Sequence, residues 1–90
     1  MSDLFLDRTP PHNIEAEQAV LGAVFLDPDA LYKVMELVKP QDFYKTSHQR
    51  IFQVMVDLSG SGEPIDIVMV TAELNKRKWL EEVGVVSYLS

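Results

Sequence analysis

Residues 13–28 constrain the fold more than any other part of the chain. Asn13 is a good helix cap, and Glu15 and Glu17 follow it where the helix dipole favours negative charge. Ile14, Leu21 and Phe25 then recur on one helical face, which Val20 and Val24 widen. Asp27-Pro28 reads as a stop and a restart, with aspartate as the next cap and proline at the first helical position. Inside this helix stands Gly22, which costs about 1 kcal/mol relative to alanine. Such a cost implies close approach of a neighbouring backbone. The stretch is therefore expected to be a packing helix at the centre of a helical domain.

Ninety residues make one small domain, and a hydrophobic content of 47% suits a globular one. No apolar run reaches the ~18 residues of a membrane span, so no membrane partner is expected. Residues 1–8 carry neither a basic region nor an apolar core of signal-peptide length, and a cytoplasmic location is expected. Cysteine is absent, which excludes disulfides and thiolate chemistry. Fourteen acids against eight bases give a formal charge of −6. Phosphate contacts dominate nucleic-acid affinity, so this balance points to protein partners and not to strong DNA binding by the domain itself. The basic cluster Lys76-Arg77-Lys78 reads as a solvated helix end.

Residues 1–12 read as a flexible N-terminal arm that ends in Thr9-Pro10-Pro11-His12, where two prolines forbid a helix. Beyond the first helix, Leu31, Val34, Met35 and Val38 give a second one its apolar face, and Lys39-Pro40 ends it. Gln41-Asp42-Phe43-Tyr44 is expected to turn tightly and drive both aromatics into the core. A third helix should start at Thr46 or Ser47 and face Ile51, Phe52, Met55 and Leu58 inward. Ser59 to Pro64 is the most loop-like composition in the chain.

Residues 65–71 are rich in β-branched types, and propensity alone suggests a strand. Helix is preferred, because Asp66 can cap it and Ile65 and Val70 occupy the positions of a hydrophobic staple. A lone strand would also have no partner. Trp79 to Gly84 reads as one helical turn, and residues 85–90 as the start of a further apolar segment without a terminal cap. The chain is thus expected to be a piece of a longer protein. Its fold class should be all-α, a small orthogonal bundle of five or six short helices over residues 13–90.

Catalytic chemistry is hard to find. His12 and His48 lie far apart in sequence and have no cysteine or short-spaced ligand partner. His48 reads as a hydrogen-bonded structural residue near Asp42. Neighbouring acids such as Glu15/Glu17 and Asp27/Asp29 answer to helix dipoles. No phosphate loop of the Gly-x-x-x-x-Gly-Lys type and no Gly-x-Ser-x-Gly elbow is present. No catalytic, metal or cofactor residue is assigned.

Several short patterns nevertheless stand in one order: Pro10-Pro11, Glu15 to Gly22, Asp42-Phe43-Tyr44, His48-Gln49-x-Ile51-Phe52, Gly62 to Asp66, and Ser87-Tyr88-Leu89. Together they resemble the N-terminal domain of the DnaB-type bacterial replicative DNA helicases, closest to Gram-positive or related phage forms. One departure is Gly84-Val85, where that family usually has two glycines. The resemblance implies the helical head of a non-catalytic collar domain, cut before the helical hairpin, linker and motor domain. It implies self-association as a dimer or hexameric collar and docking of the primase C-terminal domain. It also implies DNA engagement only through the full ring, with ATP and Mg confined to the absent motor. Glu15 and Tyr88 are then the candidate primase or intersubunit residues. The bland alternatives are that Glu15 only serves its helix dipole and that Tyr88 only fills the core. A stand-alone small helical adaptor or regulator is the competing functional class.

Overall fold

The computed structural model describes residues 13–83. They form α1 (Ile14–Leu26), α2 (Ala30–Leu37), a 3-10 turn (Pro40–Asp42), α3 (Thr46–Gly60), α4 (Ile67–Lys76) and α5 (Leu80–Val83). This is the expected small all-α bundle, with no strand among the described residues. The arm before residue 13, Gly84-Val85 and the Tyr88 segment lie outside the described range.

α3 is the central element, and every other helix packs on it. Ile51, Phe52, Met55 and Leu58 point inward as expected, joined by Val54, Ser47 and His48. So wide a buried stripe follows from being covered on several sides at once. Leu21 and Val24 of α1, Leu31 of α2, and Val70 and Leu74 of α4 complete the core. The staple reading of residues 65–71 holds. The Asp66 side chain accepts the Met69 N–H at 2.8 Å, Ile65 and Val70 are both buried, and the segment is helical.

Four expectations need correction. Asp27 does not cap α2. Its carboxylate accepts the Asp29 N–H at 3.2 Å in a local turn, and the helix starts two residues later, at Ala30. Met35 is exposed, because α2 turns only Leu31, Val34 and Val38 toward the core. Tyr44 is exposed while Phe43 is buried, since successive residues in an extended stretch point opposite ways. Finally, a Cβ added at Gly22 would meet no atom within 4 Å, so no backbone approaches it. The core face of α1 is the expected one: Leu21 and Val24 are buried, and Val20 and Phe25 pack against the core. With the space beside Gly22 open, Gly22→Ala should raise stability by about 1 kcal/mol and the melting temperature by roughly 4–8 °C. Thermal unfolding followed by circular dichroism checks this.

Two helices end in the same motif with different residues. After α3, the Glu63 N–H reaches the Leu58 carbonyl and the Gly62 N–H the Ser59 carbonyl, with Gly62 at φ 73°. After α4, Trp79 N–H bonds Leu74 and Lys78 N–H bonds Asn75, with Lys78 at φ 64°. Both are Schellman caps, which need a left-handed residue. Glycine supplies that conformation freely, whereas lysine adopts it at a steric cost. Lys78→Gly is expected to stabilise the domain by about 0.5–1 kcal/mol. A rise in the urea midpoint at unchanged slope would verify it.

Candidate docking surface

The two acids that open α1 have opposite fates. Glu17 turns inward, its side chain only 14% exposed. It accepts the Tyr44 N–H at 2.6 Å, the Lys45 N–H at 3.4 Å and a hydrogen from His48 Nδ1 at 2.5 Å. His48 is fully buried and edge-on to the Phe43 ring; because the Glu17 carboxylate only accepts, the Nδ1 that faces it is the donor. Lys45 begins α3 without offering a side-chain cap, and Glu17 supplies the negative charge there from another helix. Partial burial pulls the Glu17 carboxyl upward, but the Tyr44 N–H, His48 and the Lys45 N–H outweigh it and hold the carboxyl below its ordinary value. This node is a structural clamp, and the expected Asp42 neighbour of His48 instead accepts the Lys39 N–H at 2.8 Å. Sequence reasoning missed Glu17 because its partners lie 27–31 residues away.

Glu15 is exposed on the opposite side of α1, as a docking residue must be. Tyr88, the other candidate, falls outside the described residues, so the structure does not bring the two together.

Apolar surface lies on both flanks of α1. One flank forms a cleft of about 260 Å³ against α2, lined by Val20, Val34, Leu37, Val38 and Phe43. The other runs over Ala19, Gly22, Ala23 and Leu26 to Ile67 at the start of α4. Among the described residues no group of histidines and acids is placed to hold a metal ion. No described helix is long and apolar enough to cross a membrane.

The basic cluster is largely neutralised within the fold. Arg77 bonds Asp57 and Glu73, each at 2.9 Å, and Lys76 lies 3.8 Å from Glu73. The guanidinium groups of Arg50 and Arg77 sit 4.3 and 5.2 Å from the Trp79 ring centre, using cation–π contact to seat the α4–α5 turn. These residues organise the fold and leave no continuous basic face among the described residues.

Residues 9–90 match the family model described as the DnaB-like helicase N terminal domain. The whole chain is 59% identical to the replicative DNA helicase DnaB of Geobacillus stearothermophilus and 57% identical to the replicative DNA helicase DnaC of Bacillus subtilis. It spans 20% of the length of each. The crystal structure of the N-terminal domain of DnaB helicase from Mycobacterium tuberculosis superposes with a TM-score of 0.83 at 42% identity. That match covers 89% of this chain and 56% of the mycobacterial one.

Proposed function

This chain belongs to the DnaB-like helicase N-terminal domain family, and on that premise we propose that it is the head of a collar in a hexameric replicative helicase. Its work is assembly and docking: self-association within the ring, and binding of the primase C-terminal domain during DNA replication. Unwinding, ATP and Mg belong to a motor domain of the full-length protein. DNA is engaged by the ring as a whole, and this domain contributes little grip of its own.

The observation that carries the reading is the division of labour on α1. Glu17 is spent on holding the fold, while Glu15 and the exposed apolar residues beyond it face outward, and Glu15 has no side-chain partner among the described residues. An acidic, partly apolar surface suits a protein partner and repels phosphate. The primase C-terminal domain titrated calorimetrically into this chain, and into a longer N-terminal domain of the same helicase, tests the proposal. Heat of binding that weakens on Glu15→Lys is the expected result. Absence of heat from both proteins overturns primase docking.

A further inference from the structure

Glu15, Ala19, Gly22 and Leu26 follow one another at helical spacing, so they form a single stripe along the outer side of α1, with Ala23 beside it. The stripe is shallow in the middle, where Gly22 has no side chain and nothing stands within 4 Å of the missing Cβ. It rises at one end into Leu26, 89% exposed, and continues onto Ile67 at the start of α4, 46% exposed, whose chain neighbour Val68 is 75% exposed. This is an apolar trough with a low floor.

Both ends of the trough are acidic. Glu15 stands at one end. At the other, Asp27 follows Leu26, while Asp29 and Asp66 line a common cleft with Phe25. Asp27 and Asp66 use one oxygen each on local backbone N–H groups. None of these four acids pairs with a cation among the described residues. The chain itself carries a net charge of −6.

We propose that this trough seats an amphipathic helix with a narrow apolar ridge and lysine or arginine near both ends of the contact. The ridge would rest on Gly22 and Ala19 and press against Leu26 and Ile67, in the helix-in-groove mode. Its cations would meet Glu15 at one end and the Asp27, Asp29 and Asp66 group at the other. Glu15 and Asp27 are twelve residues apart, about 18 Å along α1, so the partner helix spans roughly three turns. The α1 helix of a second copy does not fit. Antiparallel pairing of two α1 helices would set Glu15 against Asp27 and Asp29, and parallel pairing would set Glu15 against Glu15. Like charges so placed repel.

The inference rests on the reading of this domain as a protein-docking module, and it adds the chemistry of one partner. The test uses the 90-residue chain and a synthetic helix of about 18 residues, with leucine and alanine along one ridge and lysine flanking both ends. Two-dimensional NMR should show amide shifts concentrated at Ala19, Gly22, Ala23, Leu26 and Ile67. A Cβ at position 22 meets no neighbour within 4 Å, so Gly22→Leu projects into the trough, and it should weaken binding about tenfold or more. Glu15→Lys should weaken it about two- to fivefold and flatten its salt dependence. The same peptide with glutamate in place of lysine should not bind. Shifts elsewhere, no binding at millimolar peptide, or equal binding by the glutamate peptide would each overturn the proposal. So would a dimer of the free chain in equilibrium sedimentation that Gly22→Leu dissolves. Primase docking is judged by its own titration, so the two readings can fail separately.

Discussion

Glu17→Ala should destabilise the domain by about 2–4 kcal/mol, more than any other single surface-accessible carboxylate. The change leaves the Tyr44 N–H and the Nδ1 of a fully buried His48 without their acceptor, and it removes the negative charge at the start of α3. Melting should fall by roughly 10–25 °C. Glu17→Gln keeps one acceptor oxygen and should cost about half as much. Acid gives a second readout. A free glutamate takes up its proton near pH 4.5, and Glu17 in the folded domain takes it up lower. Between the two values the unfolded chain therefore binds more protons than the folded one. The stability that Glu17 contributes is complete above the unfolded value and is lost as pH falls through the folded value. Urea titrations from about pH 6 to about pH 3 should show the gap between the natural chain and Glu17→Gln closing at the acid end. A gap that stays constant would mean the carboxylate charge is not what the clamp uses.

The same residue shows where sequence reasoning stops. Caps act within three or four residues, so Asn13 and Asp66 were legible from sequence. Their side chains accept the Ala16 and Met69 N–H groups as spacing alone suggests. The staple of Ile65 and Val70 was strong enough to override the β-branched composition around it. Glu17 had an adequate local explanation in its helix dipole, and that explanation concealed a contact made across the fold. Gly22 misled for a related reason. A costly glycine implies a close neighbour only if the neighbour belongs to the same chain, and here the space beside it is open. Lys78 left no sequence signal, because a left-handed cap is expected of glycine or asparagine. Of the candidate site, Glu15 was legible as an exposed acid. The trough behind it was not, since it depends on where α4 begins relative to α1.

Phe52→Ala is expected to cost about 3–5 kcal/mol, enough to endanger a domain whose total stability is about 5–13 kcal/mol at this length. Phe52 is fully buried at the middle of α3, and its ring packs against Phe43 with centres 5.0 Å apart. α3 is shared by every other helix, so a cavity there has no flexible neighbour to fill it. The loss should also reach the surface. Phe43 accepts the Gln49 side-chain donor at 2.7 Å through its carbonyl, and it precedes the Tyr44 N–H that Glu17 holds. Loosening Phe43 therefore loosens the anchor of α1. Phe52→Leu, which keeps most of the volume, should cost less than about 1.5 kcal/mol. Val68→Asn changes an exposed side chain next to Ile67 on α4 and should stay within about 0.5 kcal/mol. Chemical denaturation of the three variants ranks them. If Val68→Asn proved as costly as Phe52→Ala, the outer face of α1 and α4 would be part of the core and unavailable to any partner.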